Sequence, residues 1–207
     1  MTETGVEQES EPDERRVEIR EHERVFDGFL AIDRYTVVHE QYDGRLSEPA
    51  SRLVLERGDS AAVLPYHPET GQVVLVQEFR LPAFVRHDPA WLWEIIAGSV
   101  EPGRTPEEVV RSEALEEAGY RLDHLSRLTT VYPSPGGTSE RIFLYWADLR
   151  QAERVSSGGG LPESGEDIRV ATLSLDEALA MIRQEAIVDA KTILALQCVA
   201  MAGETLE

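Results

Sequence analysis

Residues 105–120, TPEEVVRSEALEEAGY, are closed at both ends by local chemistry and constrain the fold more than any other stretch. Thr105 is followed by Pro106 and, three positions on, by Glu108. In that pattern the threonine hydroxyl accepts from the third backbone N–H while the glutamate reaches back, and proline fills a first turn that needs no N–H. Gly119 supplies a terminator that tolerates the left-handed conformation. The spacing therefore predicts a helix over 106–118, with Val109, Val110, Ala114, Leu115 and Ala118 as its apolar side. Glu113, Glu116 and Glu117 stand at i, i+3 and i+4, where β-carbons lie about 5–6 Å apart, so three carboxylates converge on one face. Two readings fit that spacing alone. One is a solvated acidic face, and the other is a ridge that holds divalent cations, for which hard oxygen donors suit Mg2+ or Mn2+.

A half-apolar helix needs a sheet to cover it. Residues 61–80, AAVLPYHPETGQVVLVQEFR, read as a hairpin: two apolar runs around a Pro/Gly turn. FDGFLAIDRYTVVHE and SRLVLERG are β-rich segments around Asp43-Gly44, and further strands are expected in RIFLYWADL and DIRVATLSL. SLDEALAMIRQE opens a second helix with the pair Ser174 and Glu177, and DAKTILALQCVAM forms a third with an apolar side. Strands mixed with three helices in irregular order point to an α+β chain or an α/β/α sandwich, preceded by the β-rich N-terminal segments. The expected divisions are a disordered acidic tail over 1–22, the β-domain over 23–58 and the main domain over 59–207, with SSGGG at 156–160 as a mobile loop.

The formal net charge is −19 over 207 residues. Residues 1–24 hold nine acids against four arginines, which leaves most of the excess on the body of the chain. Such a surface repels a phosphate backbone, so nucleic-acid binding is disfavoured, whereas a small anion can approach if cations bridge it. Cys198 is the only cysteine, no run reaches the roughly 18 apolar residues of a membrane span, and the N-terminus lacks the basic and apolar regions of a signal peptide. A cytoplasmic protein is expected. Among the basic residues Lys191 is the only lysine.

From Gly98 to Tyr120 the chain resembles the Nudix box: glycine, five residues, Glu, seven residues, then Arg-Glu-aliphatic-x-Glu-Glu-x-Gly-aliphatic. Gly98, Glu113, Ala114, Glu116, Glu117, Gly119 and Tyr120 fit it, whereas Arg104 replaces the first Glu and Ser112 replaces the Arg. In the family that arginine orients the box carboxylates, and Arg111 or Arg104 could supply a cation in its place. The resemblance covers about residues 22–202 and is closest to the ADP-ribose pyrophosphatase branch, through GFLAIDRY, LERGDSAAVLPY, VVLVQEFRLPA, EIIAGSVEPG, SPGGTSERI and EDIRV.

That resemblance implies a metal-dependent hydrolase that splits the pyrophosphate of ADP-ribose or a related nucleoside diphosphate sugar. It implies Mg2+, with Mn2+ as a substitute, on Glu113, Glu116, Glu117, Glu166 and the Ala97 carbonyl. Glu116 belongs to the catalytic set, and the base comes from the loop at 158–170. Glu166 aligns best with a loop glutamate of the family, a second family glutamate falls on Ser164, and Glu163 takes over if the loop shifts by one residue. Phe29 would stack on the adenine, Arg52 would approach base or ribose, and Arg80 would bind phosphate, while Ser134, Gly136 and Glu140 resemble the substrate-side loop. The resemblance also implies an α+β fold, an α/β/α sandwich with a mixed β-sheet preceded by a small N-terminal β-domain, and a homodimer sharing its sites through that domain. A GDP-mannose type pyrophosphatase, which shares SPGG and GGG, is the nearest rival, and a nucleotide-sugar binding protein that does not cleave is the alternative outside catalysis.

Overall fold

The computed structural model describes residues 15–161 and 165–203. Contacts divide the chain into two units, Met1–Arg57 and Gly58–Glu207. The first holds β1 (Val17–Asp27), β2 (Ala31–His39) and β3 (Ala50–Glu56) as an antiparallel sheet in that order. Here the sequence reading needs correction. The disordered tail was expected to reach residue 22, yet β1 starts at Val17. Its charges are what disguised it: Glu21 accepts from Thr36 at 2.9 Å, Glu23 from Arg34 at 3.0 Å, and Arg24 donates to buried Asp33 at 2.8 and 3.1 Å. Cross-strand polar pairs hold a sheet as apolar pairs do, without leaving a hydrophobic pattern to read.

The second unit runs β4 (Ser60–His67), β5 (Gln72–Phe79), α1 (Leu81–Val85), β6 (Trp91–Glu94), β7 (Ile96–Ser99), α2 (Pro106–Ala118), β8 (Tyr120–Leu122) and β9 (Leu125–Val131). It continues with β10 (Ile142–Asp148), β11 (Ala152–Arg154), β12 (Arg169–Ser174), α3 (Leu175–Arg183) and α4 (Ala190–Ala202). The sheet order is β12-β5-β4-β10-β9, with β10 parallel to β4 and the other neighbours antiparallel. β4 and β5 pair only next to their turn, at Tyr66–Val73 and His67–Gln72. Beyond it they splay, and the chain of β6 and β7 enters the gap, β6 on β5 and β7 on β4. This splay sets Glu94, Ala97 and Gly98 inside the sheet.

β4 and β5 are buried on both faces and their side chains alternate between two cores. Ala61, Val63, Val74 and Val76 pack with Val109, Val110, Ala114 and Ala118 of α2. Ala62, Leu64, Val73 and Leu75 pack with Ala178 of α3 and Ala195, Leu196 and Val199 of α4. The architecture is the expected α/β/α sandwich with a mixed sheet. Each fully buried valine or leucine stabilises it by roughly 1.5–3 kcal/mol before entropy is counted. α2 spans the predicted residues, with the reciprocal Thr105–Glu108 cap in place and Gly119 left-handed at φ 74°. Among the described residues no helix is long and apolar enough to cross a membrane.

Candidate active site

The apolar side of α2 lies on the sheet, which carries the glutamate ridge to the rim of β7. Gly98 sits under it: a β-carbon there would fall 2.1 Å from Oε1 of Glu113. Glycine at this position leaves the space the carboxylate occupies. Glu113 is half-buried, and burial, reinforced by the charges of Glu116 and Glu166, pushes its carboxyl up to about 7. Glu117 is buried, and burial, then Glu113 and Glu78, pushes it up to about 9, with the Ala97 amide and Arg80 opposing. Among the described residues its Oε2 has no hydrogen-bond partner. A buried orphan carboxylate oxygen beside two further glutamates is costly unless a cation completes it, and the donors are the hard oxygens that a divalent ion takes. The residues present therefore fit such an ion, although among the described residues no three His, Cys, Asp or Glu side chains already stand at ligating distance from one point.

The glycines at 158–160 correct a second expectation. Gly159 N–H donates to the Glu117 carbonyl at 2.8 Å and Gly160 N–H to that of Glu116 at 3.2 Å, so the segment is packed on the end of α2. All three glycines have positive φ, and a β-carbon at 158 would meet the Glu117 carbonyl oxygen at 2.3 Å. The loop then brings Glu166 back: its Oε2 accepts from Leu161 N–H at 2.9 Å, and its charge is felt at Glu113 and at Glu78. Glu163 and Ser164 lie outside the described residues.

Arg80 follows β5. Its Nε and Nη2 donate to the two oxygens of Glu94 at 2.7 and 3.0 Å, and Nη2 also lies 2.9 Å from Glu78. Burial would raise the Glu94 carboxyl, but Arg80 and Lys191 hold it below its ordinary value. Glu78 moves the other way, raised chiefly by burial.

In the loop before β10, Ser134 and Gly136 are exposed, and the Ser134 carbonyl takes the N–H groups of Gly137 and Thr138, both at 3.1 Å. Neither glycine of the pair 136–137 has positive φ or a neighbour within 4 Å of an added β-carbon, so the turn itself does not demand glycine. Glu140 of the same loop is buried and accepts from the Ser60 hydroxyl at 2.6 Å, which pins the loop to β4. Phe29 and Arg52 belong to the other unit, where Phe29 is wholly exposed and Arg52 reaches its neighbour's carbonyl.

Comparison with known proteins decides what this site belongs to. A NUDIX domain model matches residues 56–196. The chain is a Nudix hydrolase. It is 34% identical over 191 residues to the ADP-ribose pyrophosphatase of Escherichia coli (strain K12), covering 92% of this chain and 91% of that protein. It is also 40% identical over 153 residues to the GDP-mannose pyrophosphatase of Cronobacter sakazakii, covering 73% and 78%. A solved ADP compounds hydrolase superposes with a TM-score of 0.68 at 17% identity, over 92% of this chain and 96% of that one, a likeness of fold.

Within the Nudix box the two changed positions meet. Arg104 Nη2 donates to Ser112 Oγ at 2.5 Å and to the Glu108 carbonyl at 3.1 Å, and its charge opposes the rise at Glu113. Arg111 is engaged by the Leu122 carbonyl. Of the two candidate cations, the one beside the ridge is Arg104. Sequence reasoning missed Glu78, Glu94 and Lys191. Their signal was an acid inside each of the apolar runs VVLVQEF and WLWEII, and a lone lysine after a helix cap.

Proposed function

We propose that this Nudix hydrolase cleaves the pyrophosphate of ADP-ribose to AMP and ribose 5-phosphate, with Mg2+, or Mn2+ in its place, held by Glu113, Glu116, Glu117, Glu166 and the Ala97 carbonyl. The observation that carries the reading is the buried Oε2 of Glu117, unpartnered among the described residues, within a ridge of carboxylates. A bound divalent ion supplies a lowered pKa for water and neutralises charge building on the phosphates. Glu166 takes the proton of the attacking water, since its loop returns it to the ridge, and Arg80 presents its unused Nη1 edge to a phosphate oxygen. Ser134 and Gly136 border the sugar phosphate on a loop whose glycines leave room.

Phe29 stacks on the adenine and Arg52 approaches the ribose, in a cytoplasmic homodimer whose small units meet. The exposed Val17, Ile19, Phe26 and Leu53 of those units support a contact between copies. Incubation with ADP-ribose and Mg2+, read for AMP and ribose 5-phosphate, tests the reading; chelation by EDTA and Glu117→Gln are each expected to abolish product. GDP-mannose is the second substrate to compare, because of the likeness to the Cronobacter enzyme. Binding of ADP-ribose with no AMP over a range of metals and pH would refute cleavage.

A further inference from the structure

The only lysine of the chain stands inside the sandwich, 12% exposed, at the first turn of α4. Its Nζ contacts Oε2 of Glu94 and lies 3.1 Å from Oδ1 of Asp189. Asp189 caps α4, with Oδ2 accepting from Thr192 N–H at 3.0 Å and from its hydroxyl at 2.6 Å. The Thr192 hydroxyl in turn accepts from Ile95 N–H at 2.8 Å, next to Glu94. A closed circuit thus ties the start of α4 to the junction of β6 and β7 and, through the doubly bonded Glu94, to Arg80.

The charges explain why the circuit needs a cation here. Arg80 faces two carboxylates, Glu78 and Glu94. Alone, one cation between two anions leaves a net negative spot that repels a pyrophosphate. Lys191 sets a second cation beside Glu94, shared with Asp189, and so makes the surroundings of Arg80 less negative; Arg80 thereby keeps an attraction for an anion on its Nη1 edge, which carries no hydrogen bond among the described residues.

We infer that Lys191 is a positioning residue for the phosphate-binding arginine: through Glu94 it fixes the Arg80 guanidinium and offsets the carboxylates around it. This rests on the assignment of Arg80 to a substrate phosphate. The test measures the affinity of the full chain for α,β-methylene ADP-ribose, a non-hydrolysable analogue, by calorimetry with Mg2+ present, for Lys191→Met, Lys191→Arg and Arg80→Gln, with melts to establish that each is folded at the assay temperature. Loss of on the order of tenfold in affinity for Lys191→Met, most of it recovered in Lys191→Arg, is expected, because the group lost is a charged partner of a buried carboxylate. KM should rise by the same factor with kcat little changed, a split that mere loosening of the fold would not give. If Arg80→Gln weakens binding while folded Lys191→Met does not, the brace is refuted and the phosphate assignment stands. If Arg80→Gln binds as well as the parent, the assignment falls and takes the brace with it. Should Lys191→Met not fold, Lys191→Arg decides by itself: affinity within threefold of the parent supports a charge-based brace, and a tenfold loss in a folded variant with its charge intact overturns it.

Discussion

Gly98→Ala isolates what the glycine beneath the ridge does. The added β-carbon would lie 2.1 Å from Oε1, 2.5 Å from Cδ and 2.6 Å from Cγ of Glu113, against an ordinary contact of about 3.5 Å. Everything it meets belongs to one flexible side chain, so the backbone of β7 can stay and the carboxylate must move by about 1 Å or more. In stability the change is small. Removing a glycine from a strand gains about 0.4–1 kcal/mol through the unfolded chain, and the crowding costs about 1–3 kcal/mol, a net loss of about 0–2.6 kcal/mol. Function is more exacting, because a misplacement of 1 Å at a catalytic group can cost about a hundredfold, equal to about 2.7 kcal/mol in the barrier. Steady-state hydrolysis of ADP-ribose and Mn2+ binding by calorimetry, beside a urea melt, separate the two effects. We expect kcat/KM to fall about a hundredfold, with weaker Mn2+ binding, in a variant that still unfolds cooperatively. A folded Gly98→Ala protein within twofold of the parent in both would refute the assignment of Glu113 to the metal.

The Arg104–Ser112 contact makes two substitutions interdependent. Ser112→Arg alone sets two guanidinium groups against each other and should lower stability by about 1 kcal/mol, while Arg104→Glu with Ser112→Arg recovers it, so a double-mutant cycle by chemical denaturation should give a coupling of about 1 kcal/mol or more. At low pH, Asp148 is held near about 2, first by its hydrogen bond from Arg150, against an ordinary 3.8. A lowered carboxyl contributes stability that is present above the unfolded value and is lost as pH falls through the folded one. Denaturation midpoints measured from pH 5 down to pH 2 should therefore drop less steeply in Asp148→Asn than in the parent.

Both ends of α2 were legible because capping is local: hydroxyl, proline, glutamate and glycine act within a few residues of themselves. The hairpin of β4 and β5 was legible as two apolar runs, but its splay was not, because the chain that fills the gap lies some twenty residues on. β1 stayed hidden since its partners are charges on another strand. At the site, the ridge could be read from helical spacing, whereas the burial of Glu117, the pinning of Glu140 by Ser60 and the circuit through Lys191 arise from contacts between residues 80 to 97 positions apart or from depth in the sandwich.

The parallel pairing of β4 with β10 bears on how the molecule comes into being. Ser60 opposes Ile142 and Tyr66 opposes Asp148, so the central ladder closes only after the intervening chain, glutamate ridge included, has been gathered into a loop. Joining strands so distant must overcome a large closure entropy before any contact compensates it, which makes this a slow step in folding. On a ribosome the helix that carries the glutamate ridge would emerge well before the strand that completes its platform. A chain interrupted before Ile142 would carry every box residue on β4, β5, β6 and β7 alone, a platform without its parallel strand.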